Sequence, residues 1–209
     1  GLRFGQAGNS VLLQTFLAGY LVQTLLFDKA IPTDALMISS VIGFITIPLL
    51  GWLSDKVGRR LPYIIVNISA IILAWPMLAI IVDKSYSAST IMLSLIVIHN
   101  VAVLGLFALE NITMAEMFGS RNRFTRMAIS KEAGGLVAVG FGPVLAGIFC
   151  NVTGSWWPIV AMLICYSAIG LISSLLMPEV CDRDLSLDHD AADAGTRQAL
   201  SANGQYAKS

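Results

Sequence analysis

Charge is what this sequence has least of. Only 12% of its 209 residues are charged, about half of the ~25% usual in a soluble domain. Thirteen bases balance thirteen acids, so no bulk attraction to nucleic acid is expected. The three cysteines, Cys150, Cys165 and Cys181, lie far apart, and none belongs to a CxxC or Cys/His cluster. That leaves disulfides and zinc without support; three isolated thiols, no metal and no cofactor are expected. Histidine is scarce too: His99 has no serine or cysteine motif to serve, and His189 sits in a polar tail. A nucleophile or metal cluster at catalytic spacing, which an enzyme would need, is not visible. Nor is a secretory signal peptide or an initiator Met. Gly1 stands almost at the start of an apolar run, which suggests a piece of a longer chain.

What the chain has in abundance is apolar length. It is 56% hydrophobic, with a mean hydropathy of +0.76. Six runs come near the roughly 20 residues needed to cross a bilayer. They cover about 5–27, 33–53, 61–82, 90–114, 125–150 and 157–177. The expected fold class is an all-α membrane protein, with one six-helix bundle over 1–177 and lipid as its solvent. After Pro178 the composition turns acidic, polar and small, which predicts a disordered tail over 178–209.

Lys and Arg orient the bundle. Arg3 precedes the first run. Lys56, Arg59 and Arg60 follow the second, and Arg121, Arg123 and Arg126 follow the fourth. Arg183, Arg197 and Lys208 lie in the tail. At the other end stand only Lys29 and Lys84, each beside an aspartate (Asp28, Asp83). Both termini and both basic loops are therefore expected in the cytoplasm.

The stretch "GWLSDKVGRR", residues 51–60, concentrates charge directly after the second run. Gly51 would let a neighbouring helix approach closely. Asp55 can cap a helix or pair with a base. Gly58 permits a tight turn. Lys56, Arg59 and Arg60 pin the loop to water and can bridge helix ends. A simple positive-inside anchor is the plainer reading. The stretch resembles the signature loop of the major facilitator superfamily, G-x-x-x-D-[RK]-x-G-R-R, through Gly51, Asp55, Lys56, Gly58, Arg59 and Arg60. A second stretch, "FGSRNRFTRMAISKEAGGLVAVGFGPVLAGIF" (118–149), resembles the eleventh-helix region of the metabolite:proton symporter family. The shared features are Arg121, Arg123, Thr125, Gly134–Gly135 and Gly142–Pro143. "TGSWWPIVAML" is similar to that family's entry into its twelfth helix. The resemblance implies the C-terminal half of a twelve-helix transporter in a plasma (bacterial inner) membrane. Its partner would be an N-terminal six-helix half. Its substrate would be a small polar metabolite, an organic acid or a zwitterion, carried with protons.

Polarity along the runs points to candidate pathway residues. In the first, Gln6, Asn9, Leu13, Phe16, Tyr20, Gln23 and Phe27 recur at three- and four-residue spacing. They suit either a small polar solute or interhelical hydrogen bonding. In the fourth, His99 and Glu110 are eleven residues apart, which in an α-helix is one face and about 16 Å. Asn100 and Asn111 form the adjacent stripe. A histidine and a carboxylate in a membrane helix are costly unless paired or solvated, and either can carry a proton. A structural histidine, and a glutamate paired with a loop arginine, remain open. In the fifth, Lys131 can attract an anion or neutralise Glu110 or Glu116, or can form a rim pair with Glu132. Gly142–Pro143 can hinge that helix or simply let it pack. The third and sixth runs are uniformly apolar and are expected outermost, facing lipid. Two other classes remain beside the carrier: an intramembrane enzyme, and a non-transporting scaffold or truncated gene product.

Overall fold

A computed structural model describes residues 1–118, 122–180 and 191. Arg121, Cys181, Arg183, His189, Arg197, Lys208 and most of the expected tail lie outside these. Every element among the described residues is helical, and the elements join into six rods. The first rod is α1 (Leu2–Val11), a π-helical turn (Leu12–Leu17) and α2 (Ala18–Gln23). The second is α3 (Ala30–Val57) and the third α4 (Arg60–Val82). The fourth is α5 (Ala88–His99), a second π-helical turn (Asn100–Gly105) and α6 (Leu106–Met117). The fifth is α7 (Arg123–Thr153) and the sixth α8 (Trp157–Leu176).

Five of these, the second to the sixth, are long and apolar enough to cross a membrane. The first carries Arg3, Gln6, Asn9, Gln14 and Gln23 and does not meet that test. Several ends fall where local chemistry puts them. α3 begins at Ala30, not at 33, with Pro32 tolerated in the first turn. It runs past 53 to Val57 and stops at Gly58, whose φ of +97° a side chain would rarely adopt. Ser87 caps α5, accepting from Thr90 N–H. Gly154, at φ +60°, ends α7. Pro178 to Val180, expected to open a disordered tail, instead return to the bundle. Val180 is buried, and the Glu179 carboxylate accepts from the Arg59 and Arg60 backbone N–H groups at 2.7 and 3.2 Å. A carboxylate on the first free N–H groups of α4 is favourable there.

The fourth rod is the most enclosed: 56% of its apolar window is buried, against 17% for α3 and 22% for α7. α4 and α8, expected outermost, are more buried (33% and 39%) because they pack against each other and α8 packs on α1. Glycine sets these approaches. A Cβ on Gly5 would meet Tyr166 O at 2.8 Å and Gly170 Cα at 3.1 Å. Gly8 lies against the Tyr166 ring, which also contacts Phe4 with centroids 5.3 Å apart. Small residues that admit a neighbouring backbone are the usual means of membrane-helix packing.

Gly5→Ala should therefore force α1 from α8 and destabilise the bundle by ~1–3 kcal/mol, the usual cost of overpacking. Gly140→Ala, whose added carbon meets nothing within 4 Å, is the control. Heat denaturation of the purified protein in detergent should separate the two.

Candidate functional site

The polar side chains of the first and fourth rods meet in register. Arg3 reaches Glu110, and Gln14, eleven residues on, reaches His99, eleven residues back. That is antiparallel packing. Each rod carries its π turn near this level. An i→i+5 turn takes in an extra residue and rotates the helix beyond it. His99 and Glu110, expected on one face, both meet the first rod, through Gln14 and Arg3, and differ in their second partner: Ser39 of α3 for His99, Lys131 of α7 for Glu110. The stripe of the first rod divides as well. Asn9 is wholly buried and donates to Ser167 Oγ of α8 at 2.9 Å, an interhelical bond rather than a pathway contact. From the end of the π turn onward, Phe16, Tyr20 and Gln23 line an outer cleft of about 560 Å³ with Pro143, Cys150 and Asn151. Phe16 and Tyr20 stack there, centroids 6.2 Å apart.

An inner cleft of about 460 Å³ lies nearer the basic end, between Arg3, Gln6, Ser10 and Gln14 on one wall and Val103, Leu104 and Phe107 on the other. Arg3, on the first wall, reaches Glu110, which has no exposed surface. Arg3 Nη1 stands 3.4 Å from one carboxylate oxygen and Lys131 Nζ 3.4 Å from the other. Arg3 Nη1 also donates to Gln6 Oε1 at 2.8 Å, and Lys131 to Asn111 Oδ1. Arg3 Nε and Glu110 Oε1 make no hydrogen bond. Gly134 and Gly135 of α7 make room for Arg3: a Cβ on Gly134 would lie 3.3 Å from Arg3 Cβ. Sequence reading takes Arg3 as a flanking charge because it falls just before the apolar run counted from residue 5; the glycine pair was the available signal of a close approach to α7. Glu132 is exposed and takes no part in this cluster.

His99 is nearly buried and bonded at both ring nitrogens: Gln14 Nε2 at 2.8 Å from Nε2, Ser39 Oγ at 2.6 Å from Nδ1. Asn100 Nδ2 donates to the same Ser39 Oγ at 2.7 Å, and Thr46 Oγ1 donates to Asn100 Oδ1 at 3.4 Å. A neutral ring satisfies this set, with Gln14 donating to Nε2 and Nδ1–H donating to Ser39. A second proton on His99 requires the Gln14 amide to turn and present its oxygen. In α7, the helix continues through Pro143, and Gly142 is buried where the Tyr166 hydroxyl approaches to 2.9 Å of an added Cβ.

The charged loop at the basic end is an ion-pair lock. Arg59, only 7% exposed in its side chain, donates to both Glu116 oxygens at 2.8 and 2.6 Å. It also meets Asp55 at 2.5 Å and donates to Ser54 Oγ at 2.6 Å. Hydrogen bonding to Glu116, ahead of that to Asp55, raises the Arg59 pKa above its ordinary value. Asp55 thus pairs with a base, and the capping of α4 falls to Glu179. Arg60 reaches Leu175 O at 2.6 Å. Lys56 lies over the Trp52 ring, 4.0 Å from its centroid. Gly58 is required by its φ, and a Cβ there would also meet Glu179 at 2.9 Å. Gly51 does not mark a helix end or a close crossing: it lies inside α3, and an added Cβ would make only an ordinary 3.6 Å contact with Ile112.

The model of the Major Facilitator Superfamily matches residues 2–197. The chain is 76% identical over 202 residues to the Escherichia coli (strain K12) protein named "Putative transporter YdfJ", an alignment covering 97% of this chain and 47% of that one. It is 22% identical over 179 residues to the "Shikimate transporter" of the same organism, covering 85% of this chain and 40% of that one. The chain thus spans about half the length of the curated relatives it matches.

The lock's geometry ranks its two carboxylates. Glu116→Gln strips a mostly buried arginine of its bidentate partner and should approach the ~3 kcal/mol of a broken buried pair. Asp55 is 60% exposed, so Asp55→Asn should cost no more than about 1 kcal/mol. Melting temperatures in detergent should fall in that order.

Proposed function

This chain belongs to the major facilitator superfamily, and from that premise we propose that it is the C-terminal half of a proton-coupled metabolite carrier. The family match and the relative's transporter name point to a carrier and not to an intramembrane enzyme. The chain is an integral membrane protein. In this reading it sits in the bacterial inner membrane with both termini cytoplasmic, as the excess of bases at one end favours. The coverage of its relatives, 47% and 40%, suits a partner half of six further helices. The two bundles would rock about a site between them. The substrate would be a small organic acid or zwitterion, the class to which the second relative's named substrate belongs.

The observation that carries the reading is Glu110. An ionisable group wholly inside a membrane bundle is expensive and marks an ion or substrate pathway by default. Here it faces two cations beside a cleft walled by amides and a hydroxyl. The lock of Asp55, Arg59 and Glu116 fits a contact made and broken between states, at the end where the bundle must open and close.

In a full-length carrier, Glu110→Gln should abolish uphill, pH-driven accumulation while leaving exchange of bound solute; persistence of pH-driven accumulation would remove Glu110 as the coupling acid. Asp55→Asn should insert normally and cycle poorly, so undiminished uptake at matched expression rejects the lock as a gate. Residues 1–209 alone in proteoliposomes should show no saturable, gradient-dependent uptake, because in this reading the transport site forms between two six-helix halves and this chain supplies one. Co-expression with an N-terminal six-helix half should restore it.

A further inference from the structure

Among the described residues, the buried side-chain atoms without a hydrogen bond belong to three helices. They are Arg3 Nε and Asn9 Oδ1 of α1, Tyr63 Oη and Asn67 Oδ1 of α4, and Glu110 Oε1 and Thr113 Oγ1 of α6. Arg3, Asn9 and Asn67 each bond through another atom of the same side chain. Tyr63 and Thr113 have one polar atom apiece, and neither makes a bond. Both residues are wholly buried. A hydroxyl left that way weakens a fold, and phenylalanine or valine would fill the same space without the loss. Thr113 even forgoes the usual local remedy. Thr33, Ser40, Thr46 and Ser69 each donate to the carbonyl four residues back, and Thr113 does not.

The two hydroxyls share a location. Thr113 follows Glu110 by three residues on α6, about 4.5 Å nearer the basic end. Tyr63 stands three residues after Arg60, where α4 begins at that same end. It packs in one cluster with Leu2, the neighbour of Arg3, and Leu109, the neighbour of Glu110. The charges of Glu110 and Arg3 both act on it. Neither hydroxyl lines the inner cleft. Leu2, Met117 and Met177, at the basic ends of α1, α6 and α8, complete the cluster, and the two methionines are flexible. The charged groups nearby are few. α1 brings Arg3, and α7 brings Lys131, with Arg123 and Arg126 nearer its start and Glu132 exposed. α3 carries charge only near its ends, at Asp34, Asp55 and Lys56. At the start of α4, Arg59 is held by Asp55 and Glu116, and Arg60 by Leu175 O. α5 has His99, bonded to Gln14 and Ser39, and α8 has no charged residue.

We propose that Glu110 exchanges its proton with the water at the basic end through Tyr63 and Thr113, along a file of water between α1, α4 and α6, and not through the inner cleft. This rests on the carrier reading for Glu110 as the coupling acid and adds the route its proton takes. Water is the bridge because neither hydroxyl reaches another side chain directly, and Asn9 Oδ1 and Asn67 Oδ1 are further acceptors for it. On release, the O–H bond of Glu110 breaks and its proton forms an O–H bond on a neighbouring water. Each hydroxyl on the way accepts one proton on its oxygen and gives up the one it held, so it ends unchanged. Water at the basic end takes the last proton, and Glu110 is left as a carboxylate between Arg3 and Lys131. Uptake is the reverse. Proton and solute then travel by separate ways, and the acid can exchange its proton while solute fills the cleft.

The test joins this chain to the part of the 76%-identical Escherichia coli relative that it does not match, in unsealed phosphatidylcholine membranes. Time-resolved infrared spectroscopy follows the protonated-carboxyl band after a light-triggered pH jump, and the band that Glu110→Gln removes is that of Glu110. Tyr63→Phe and Thr113→Val should each slow the rise and the fall of this band roughly tenfold or more. The midpoint pH should stay in place, because a route sets a rate and not an equilibrium. Thr113→Ser, which keeps the hydroxyl, should recover most of the rate lost in Thr113→Val. The melting temperature of Tyr63→Phe should not fall, since the hydroxyl it loses makes no bond. If either variant fails to fold, the other decides alone; loss of folding in both makes the hydroxyls structural and overturns the proposal. The parent rate in a folded Tyr63→Phe or Thr113→Val overturns it. So does a shifted midpoint with unchanged rates, which would give the hydroxyls an electrostatic part only. In these cases Glu110 still titrates and the carrier reading stands. A Glu110 band that does not respond to pH while the protein stays folded overturns both the route and Glu110 as the coupling acid.

Discussion

A carboxyl group with no exposed surface, that of Glu110, is the constraint around which this bundle is arranged. In a low-dielectric interior the charged form of such a group is tolerable only with cations close by, and removing one from such a pair leaves an uncompensated charge. Two cations from two different rods answer that need, Arg3 from α1 and Lys131 from α7. Bringing them in dictates local composition. Gly134 and Gly135 have no side chains where Arg3 crosses α7. Gln6 holds the arginine from one side, and Asn111 holds the lysine from the other. The polarity of the first rod, which keeps it below the apolarity of the other five, is the same requirement seen along the sequence.

The hydrogen-bonded level above it obeys a milder version of that rule. Gln14, His99, Ser39, Asn100 and Thr46 link three rods through neutral groups. Together they satisfy the buried polar atoms of His99 and Ser39, which lipid or core could not. Between the ionic and the neutral level lies the inner cleft, so its ends are lined by fixed donors while its wall on the fourth rod is apolar. A solute there meets preset groups and does not have to order them.

The rods themselves were legible because twenty apolar residues in a row have few other uses, and the charged loop was legible because bases cannot be buried cheaply. What could not be read was the phase of each helix. Asn9 and Phe16 lie on one stripe at 3.6 residues per turn, yet one binds α8 and the other lines the outer cleft. The π turn that begins at Leu12 and contains Phe16 changes the phase, and nothing in "LLQTFL" distinguishes it from ordinary helix. The fourth rod carries the same turn between His99 and Glu110, which keep the first rod as a common neighbour and take different second partners. Arg3 was misplaced for a different reason: hydropathy starts a span where apolar residues begin, whereas the helix starts where the backbone does. Glu179 was lost to composition, since one docked residue cannot be seen in an acidic stretch.

α6 ties the two charged regions together. Glu110 and Glu116 are six residues apart on one helix, about 9 Å along its axis. The first is held from α1 and α7, the second from α4 through Arg59. Packed helices shift between discrete arrangements, not continuously. A shift of α6 large enough to part Glu110 from Arg3 therefore also acts on a bidentate bond whose geometry tolerates little displacement. Neutralising one carboxylate loosens α6 at one anchor and leaves the other in place. The buried ion cluster and the loop at the basic end are thus mechanically in series, with a rigid helix between them and no further element needed to connect them.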